Sequence, residues 1–464
     1  MTSEISSDPR YVAHPPLLKP TELESLVRAG EITTVMVGVP DMLGRLKGKL
    51  HEARGFMHGF PSEWEMCGYV LATDVDMNPQ PGYALTGWHD GFGDLHVIPD
   101  GQAMRRLPYL PGTVLVHGDA VHHNGRPVDV GPRQMLRKQL QALASFGLQA
   151  KVGVEGEFML YNGTQAQVRR RGYRGLTPVS PYNLDYALDH PPALSSFFED
   201  LRAALHGAGC PVEAIKTEGA PGQVEVTWPY GHPMRACDDY TVHKHAVRHL
   251  AERHDMAPTF MAAPRTGVGS GLHLHVSLWR DEDDSAFYAP QSDVLPDLLQ
   301  HSIAGLVEAL PHMVLLCAPS ANSYKRFKPR SFAPTSFTWG RDNRSCAVRV
   351  TGEEANPHLE VRLAGADANP YLALASVIAA IIHGIRNEPK LPEPCTGDGY
   401  DAADAIPVPN NLDEALTDFA ESQIAQQAFG TSVVDHYAHA AEIELAVAEG
   451  QVTDWEVRRG FDRA

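Results

Sequence analysis

The stretch Val152–Tyr161, V-G-V-E-G-E-F-M-L-Y, holds two carboxylates, Glu155 and Glu157, two residues apart in an otherwise apolar run. Side chains at positions i and i+2 of a β-strand point to the same face, so the pattern predicts a strand with an apolar face towards the core. Two like charges on a half-buried strand repel each other and lose hydration. The strand is therefore either a solvated edge strand or one wall of a divalent-cation site.

Composition and charge narrow the class of protein. The chain of 464 residues is 43% hydrophobic and 21% charged, as in a globular protein of two or three domains. Its 39 basic and 57 acidic residues give a net charge of −18, which argues against a nucleic-acid partner. The six cysteines form no C-x-x-C pair, which fits reduced thiols in the cytoplasm better than disulfides or a zinc site.

Neither a signal peptide nor a membrane span is expected. The N-terminus has no basic start and no apolar core, so it does not resemble a secretory signal. The longest apolar run, Ala373–Ile382, is too short to cross a bilayer and is predicted to be a buried helix. We therefore expect a cytoplasmic protein without a membrane partner.

The pattern along the chain predicts a flexible arm at residues 1–19, a first domain at 20–125 and a second at 126–464. Ile32–Pro40 is rich in β-branched residues and precedes D-M-L-G-R-L-K-G-K-L, which predicts strand, turn, strand. Asn124-Gly125 is a turn signal at the predicted boundary. Strands and helices mix without a regular βαβ rhythm, which favours an α+β fold. A helix is predicted at 232–254, and its His-rich part at 243–254 is interpreted as a solvated or interface surface without a metal role.

Four further segments carry ionisable side chains at alternate positions or around a turn. Each alone has a structural explanation, such as a core histidine or a cross-strand salt bridge. The segments are T-E-G-A-P-G-Q-V-E with Glu218 and Glu225, G-S-G-L-H-L-H with His273 and His275, N-R-S-C-A-V-R with Arg344 and Arg349, and H-L-E-V-R-L with Glu360 and Arg362.

Taken together, these segments predict metal-assisted phosphoryl transfer. Five carboxylates and an imidazole on apolar strands are costly to bury unless cations neutralise them. Oxygen-rich ligands with one nitrogen suit Mg²⁺ or Mn²⁺ rather than zinc. The arginines offer planar forks for carboxylate and phosphate groups. A Walker A loop and a kinase-type G-x-G-x-x-G are absent from the sequence, so a nucleotide would be held in another way.

Over nearly its whole length the sequence resembles the glutamine synthetase family. The resemblance implies an N-terminal β-grasp domain and a catalytic domain with a curved antiparallel sheet and helices. It also implies rings of subunits stacked in pairs, usually dodecamers of two hexamers, with active sites between neighbours. The matching motifs are D-M-L-G-R-L-K-G-K, V-E-G-E-F, E-G-A-P-G-Q-V-E, G-S-G-L-H-L-H-V-S-L, A-N-S-Y-K-R, N-R-S-C-A-V-R-V, L-E-V-R-L and D-A-N-P-Y-L.

The resemblance assigns a role to each motif residue. It implies that ATP phosphorylates the γ-carboxylate of glutamate and that an amine then attacks the acyl phosphate. The implied ligands of one metal are Glu157, Glu218 and Glu225, and those of the other are Glu155, His273 and Glu360. The implied glutamate and phosphate contacts are Arg326, Arg344, Arg362 and Gly269, of which the arginines are the catalytic candidates. The expected ATP-binding residues are Glu213, Ser277, Arg349 and His275.

Departures from the family pattern fall at the amine site and in the glutamate and adenine pockets. Phe332 stands where the synthetases have a flap glutamate that takes a proton from ammonium, and Pro81 aligns with an aspartate that binds ammonium. Val268 and His358 replace a glutamate-gripping asparagine and an adenine-side arginine. The sequence is therefore more similar to γ-glutamylamide ligases acting on ethanolamine, alkylamines or aromatic amines. A γ-glutamylpolyamine synthetase, a true glutamine synthetase and a non-catalytic regulatory ring remain alternatives.

Overall fold

The computed structural model describes residues 16–62, 64–288, 294–352 and 357–463. Residues 1–15 of the predicted arm lie outside the described residues. The end of that arm contacts the first domain, because Leu18 N donates a hydrogen bond of 3.1 Å to Met104 O.

The described residues form two sheets and a set of helices. The strands are β1 (Thr34–Pro40), β2 (Leu46–Glu52), β3 (Trp64–Cys67), β4 (Asp94–Arg106), β5 (Thr113–Val121), β6 (Gln149–Asn162), β7 (Ala214–Thr217), β8 (Gln223–Gly231), β9 (Met256–Thr259), β10 (Leu272–Trp279), β11 (Trp339–Arg341), β12 (Val348–Thr351) and β13 (His358–Val361). The α-helices are α1 (Pro20–Ala29), α2 (Ala53–Gly59), α3 (Pro132–Ala144), α4 (Gln165–Arg170), α5 (Pro192–Gly207), α6 (Pro233–Arg253), α7 (Asp297–Ala309), α8 (Val314–Cys317), α9 (Pro370–Asn387), α10 (Leu412–Ala420), α11 (Gln423–Phe429), α12 (Thr431–Glu449) and α13 (Asp454–Gly460).

The first sheet has the order β2-β1-β5-β4-β3, with β1 antiparallel to β2 and parallel to β5. The predicted strand–turn–strand is therefore confirmed. In the connecting turn, Asp41 Oδ1 accepts hydrogen bonds from Leu43 N and Arg45 N, and Gly44 adopts a positive φ of 73°. The boundary predicted at residue 125 falls between β5 and α3, and it stays a prediction.

The second sheet has the order β11-β12-β13-β10-β6-β8-β7, with β9 added beside β6. Its pairs are antiparallel except for β11 with β12. β6 contains the V-E-G-E-F segment and is hydrogen-bonded on both sides, to β10 and to β8. The interpretation of this segment as a solvated edge strand is therefore wrong.

The His-rich helix α6 packs against the back of this sheet, so the solvated alternative is wrong for His243, while the interface alternative stays a prediction. His243 has no exposed surface and its ring contacts the rings of Phe158, Trp228 and Tyr240. Burial, assisted by the nearby Lys244 charge, lowers the pKa of His243 to about 3. An uncharged imidazole can lie inside an aromatic cluster at much lower cost than a charged one, which explains how a polar sequence forms a core helix.

Helix α9 is the apolar helix expected from Ala373–Ile382. Its length and apolar composition would allow it to cross a membrane, but 78% of it is buried inside the fold. It packs against α3 and α7. The prediction of a buried helix is confirmed.

Gly156 lies between the two carboxylates of β6 and faces Tyr240 of α6. A Cβ atom at Gly156 would lie 2.4 Å from Tyr240 Cε2, and Tyr240 is fully buried. We expect Gly156→Ala to lower the free energy of unfolding by about 1–3 kcal/mol, because an overpacked core forces the strand and helix apart. Urea denaturation measures this change. Gly219→Ala is the matched control, since its Cβ would meet nothing within 4 Å, and an equal loss in both variants would contradict the packing argument.

A buried ion pair fastens the first domain to α6. Arg105 of β4 is 1% exposed, and its Nη1 lies 2.5 Å from Asp239 Oδ1 and 3.0 Å from Cys210 Sγ. Removing one partner leaves an uncompensated buried charge, so we expect Arg105→Met to cost about 3–5 kcal/mol of unfolding free energy.

The neighbouring arginine provides the control for this prediction. Arg106 pairs with Glu31 at 3.3 Å, and its side chain is 46% exposed. Arg106→Met should cost at most about 1 kcal/mol, because exposed ion pairs contribute little. Similar urea midpoints for the two variants would show that the buried pair does not hold the domains together.

Candidate active site

The register of the second sheet brings the predicted ligands to one face. Residues directly opposite each other on paired antiparallel strands place their side chains on the same side. The opposed pairs are Glu155 with His273, Glu157 with Glu225, His275 with Glu360, Arg349 with Glu360, and Lys216 with Glu225. Four strands, β6, β8, β10 and β13, therefore contribute acids or histidines to one patch.

Glu155 is at the centre of one half of the patch. Its Oε1 lies 3.0 Å from His275 Nε2, and its Oε2 lies 3.3 Å from His273 Nδ1. His273 Nδ1 is also 3.4 Å from Glu360 Oε1. Ligand atoms of Glu155, His275 and Glu360 all lie within 4.8 Å of one another. The structure thus groups the three predicted ligands Glu155, His273 and Glu360, and it adds His275, which was predicted to bind ATP.

Nearby cations keep the carboxylates of this half ionised. Burial alone would raise the pKa of Glu155, but hydrogen bonds from His273 and His275 hold it well below its usual range. Burial likewise opposes ionisation of Glu360, whose pKa is nevertheless lowered to about 2 by Arg362 and the two histidines. Both acids are therefore negatively charged near neutral pH, as cation ligands must be.

The other half contains Glu157, Glu218 and Glu225. Glu157 Oε2 accepts hydrogen bonds from Gln223 Nε2 at 2.7 Å and from Gly271 N at 2.9 Å. Glu218 forms an ion pair with Lys216. Gln223 and Lys216 were not singled out in the sequence, although Gln223 belongs to the A-P-G-Q turn between the two predicted glutamates. Its amide also donates to Gly269 O at 2.9 Å and so ties this turn to the predicted glutamate-binding segment.

The crowding of negative charges around Glu225 indicates that this half of the patch suits a divalent cation. Burial and the charges of Glu155, Glu218 and Glu157 raise its pKa to about 9. A divalent cation among these oxygens would remove the repulsion and allow all of them to ionise. The donor set of several carboxylates and imidazole fits Mg²⁺ or Mn²⁺ by ligand type.

The predicted arginines fall into two groups. Arg326 and Arg362 are buried beside the carboxylates: Arg326 Nη1 donates to Leu363 O at 3.0 Å, and Arg362 pairs with Glu360. A Cβ atom on Gly269 would lie 2.9 Å from Arg326 Cγ, so this close approach requires glycine. Arg344, in contrast, is exposed in the connection between β11 and β12. Its contacts among the described residues do not join it to the carboxylates.

A cavity of about 340 Å³ opens beside Glu155 and contains most of the predicted nucleotide contacts. The wall of this cavity combines aromatic and polar side chains. Trp279 Nε1 donates a hydrogen bond of 2.8 Å to Ser277 Oγ, and the Lys151 ammonium lies 3.5 Å from the Trp279 ring centroid. Arg349 approaches the same carboxylates, with Nη1 2.8 Å from Glu360 Oε2. The cavity lining includes Glu155, Glu213, Tyr230, His275, Ser277, Trp279 and His358.

The two predicted amine-site residues lie in different surroundings. Phe332 is 66% exposed with a positive φ of 60°, and its carbonyl accepts a hydrogen bond of 3.3 Å from Arg362 Nη2. It therefore borders the arginine side of the site. The carbonyl of Pro81 instead accepts a hydrogen bond of 2.8 Å from His439 Nε2 on α12. Within one chain, the described contacts do not join Pro81 to the carboxylate patch.

Comparisons with known proteins identify the family of this chain. A family model described as glutamine synthetase, catalytic domain, matches residues 129–460. The chain is 42% identical over 453 residues to the gamma-glutamylethanolamide synthetase GlnA4 of Streptomyces coelicolor, covering 97% of this chain and 96% of that protein. It is 30% identical over 447 residues to a glutamate–isopropylamine ligase of a Pseudomonas species, covering 95% and 97%.

Solved structures show the same architecture. A structure described as a complex of GmaS with ADP superposes with a TM-score of 0.82 at 25% identity, covering 95% of this chain and 100% of that chain. A structure of GmaS without ligand gives a TM-score of 0.80 at 26% identity. The α+β fold expected from the sequence is confirmed, and the chain belongs to the glutamine synthetase family.

Proposed function

We propose that this protein is an ATP-dependent ligase that joins the γ-carboxylate of L-glutamate to an organic primary amine through γ-glutamyl phosphate. One observation carries the proposal: a patch of acids and histidines, with the buried Arg326 and Arg362 beside it, is bordered by an exposed phenylalanine, Phe332. The patch supports phosphoryl transfer, and the phenylalanine supports an amine that carries carbon. The names of two relatives, an ethanolamide synthetase and an isopropylamine ligase, point to the same class of reaction.

Phosphoryl transfer forms the first step. A γ-carboxylate oxygen of glutamate attacks the γ-phosphorus of ATP, and the bond to the ADP oxygen breaks. The acids would hold two Mg²⁺ or Mn²⁺ ions, which neutralise the phosphate charges when bound. Arg326 and Arg362 lie beside the carboxylates, and their planar forks would orient glutamate and the transferred group. Arg344 would have to approach from the exposed connection in which it lies.

Amide formation is the second step and determines the choice of amine. The uncharged amine nitrogen attacks the acyl carbon, the bond between the acyl carbon and the phosphate oxygen breaks, and the proton from nitrogen passes to the departing phosphate or to water. Ammonia is present mostly as the ammonium ion at neutral pH. An enzyme that uses it therefore gains from a carboxylate that binds the cation and takes its proton. Phenylalanine at position 332 and proline at position 81 supply neither function. The Phe332 ring instead offers apolar contact to carbon atoms, which favours ethanolamine, an alkylamine or an aromatic amine.

A γ-glutamylpolyamine synthetase is the second candidate. The net charge of −18 would attract polycations. Screening in physiological salt reduces such a long-range field within about 8 Å, whereas the side chains lining the pocket act directly on the amine. The local loss of carboxylates therefore favours the smaller or more apolar amines.

We also propose a cytoplasmic dodecamer of two stacked hexameric rings with active sites between neighbours. The separation of Phe332 and Pro81 supports this arrangement. Pro81 contacts α12 of its own chain, while Phe332 borders the carboxylate patch. A ring would allow the Pro81 loop of one subunit to face the Phe332 flap of the next.

An assay with a panel of amines tests the proposal. Purified protein with Mg²⁺, ATP and glutamate should release phosphate faster with ethanolamine, isopropylamine or aniline than with ammonium or putrescine. The fastest rate with putrescine would favour the polyamine synthetase, and the fastest rate with ammonium would favour a true glutamine synthetase. Absence of turnover with every amine, in protein that binds ATP, would favour a non-catalytic ring.

A further inference from the structure

A second cavity lies where the first domain meets the C-terminal helix α12. It has a volume of about 110 Å³. One wall comes from the turn between β1 and β2, another from α12, and the floor from α8 and α9. Most of the lining side chains are apolar, among them Leu315, Leu316, Leu372, Ala441, Ile443 and Val447. The carboxylates of the catalytic patch do not line it.

The polar part of this cavity is negatively charged. Asp74, Asp76 and Glu444 line it together with the apolar groups. Glu444 is half-buried, and within the described residues its carboxylate has no ion pair or hydrogen bond. Burial, followed by the charges of Asp76 and Asp74, raises its pKa. A half-buried carboxylate beside two like charges is stabilised by a cation that reaches it.

The arginine in this cavity is already engaged by other groups. Arg45 Nε lies 2.7 Å from Asp41 Oδ2, and its Nη1 donates to Val75 O at 2.6 Å. Its Nη2 is 3.2 Å from Met77 Sδ. The guanidinium therefore neutralises Asp41 and holds the 74–77 loop, and it leaves the charge of Glu444 uncompensated.

Shape and charge together define the ligand. Apolar walls need a hydrocarbon group, and the uncompensated carboxylate needs a positive charge. A single water needs roughly 10–15 Å³ of cavity volume, so about 110 Å³ accommodates a molecule of only a few non-hydrogen atoms. Metal ions and bare ammonium would leave the apolar walls unfilled, and long polyamines would exceed the space.

We propose that this cavity binds one small organic primary ammonium ion, with its charge at Glu444 and its hydrocarbon group between α12 and α9. The site is additional to the amine position of the proposed ligase reaction, and its existence does not depend on that reaction. Because its walls come from both ends of the chain, a bound ligand would tie the β1–β2 turn to α12. Amine availability would then affect how firmly the first domain docks.

Calorimetric titration of the full-length protein with n-butylammonium chloride, in the absence of ATP and glutamate, tests this site. We expect one saturable site per chain. Glu444→Gln should weaken binding at least tenfold because the amide lacks the charge, and Ala441→Leu should do the same by filling the cavity. Glu449→Gln, an exposed glutamate on the same helix, should bind like the unaltered protein.

Matched probes and a catalytic-site variant complete the test. n-Butanol lacks the charge and ammonium chloride lacks the hydrocarbon group, so each should bind at least tenfold more weakly. Glu155→Ala should retain binding, since the catalytic patch lies elsewhere. Unchanged affinity in Glu444→Gln, loss of binding in Glu155→Ala, equal binding of n-butanol, or no binding at all would overturn the proposal. Initial rates of amide synthesis, measured separately, show whether the ligase proposal itself fails.

Discussion

Glu155→Gln is expected to lower the rate of amide synthesis by about 100- to 1000-fold, the range for losing one preorganised electrostatic contact to a transition state. Glu155 contacts both His273 and His275, and its position in the middle of the sheet gives it two strand neighbours. Glutamine keeps the size of the side chain but removes the charge that a divalent cation needs. Initial-rate assays of phosphate release with glutamate and an organic amine measure the effect.

An exposed glutamate of the same domain serves as the control for this change. Glu199 lies on α5 with its side chain in solvent, and Glu199→Gln should leave the rate unchanged. Raising the Mg²⁺ concentration should recover part of the activity of Glu155→Gln if the carboxylate acts through a cation. A Glu155→Gln variant that keeps more than half of the activity would rule out a central role for this carboxylate.

Phe332→Glu is expected to shift the preference from organic amines towards ammonium, by about 100-fold or more in the ratio of kcat/KM values. A carboxylate at this position could bind the cation and take its proton, and general bases contribute about 10²–10⁴-fold. The exposure of Phe332 makes the change tolerable for the fold. Steady-state kinetics with ammonium and with the best organic amine give the ratio.

Phe332→Leu separates the two roles of this residue. Leucine keeps an apolar contact but offers no base, so the preference for an organic amine should persist. If Phe332→Glu and Phe332→Leu gave the same ratio, the flap would not select the amine, and the specificity would have to reside on another loop.

Local sequence patterns predicted the carboxylate-bearing strand β6 but not its environment. Alternation around Glu155 and Glu157 predicted β6 correctly because side-chain period is a local property. Whether β6 lies inside a sheet depends on β8 and β10, which come from more than 60 residues later in the chain. The edge-strand alternative could not be excluded for that reason. The same register joins Glu360 to Arg349 and His275, which no local pattern shows.

Two other features of the structure, the burial of His243 and the position of Lys216, also differ from what the sequence predicted. The polar sequence around His243 suggested a solvated helix, but neutral imidazole and neighbouring aromatic rings allow it to be buried. Lys216 was missed because a single lysine beside a carboxylate carries no pattern. Its ion pair with Glu218, two residues later, forms at the end of β7. The pairing of β7 with β8 also places Lys216 opposite Glu225, which no local pattern shows.

The most direct test of the central claim is a competition between amines in one reaction. The protein, with Mg²⁺, ATP and glutamate, receives ¹⁵N-ammonium and ethanolamine at equal concentrations, and mass spectrometry quantifies the two amides; isopropylamine replaces ethanolamine in a parallel reaction. The account predicts that a γ-glutamylamide of an organic amine exceeds ¹⁵N-glutamine at least tenfold in one of the two reactions. Predominance of ¹⁵N-glutamine in both reactions would contradict it.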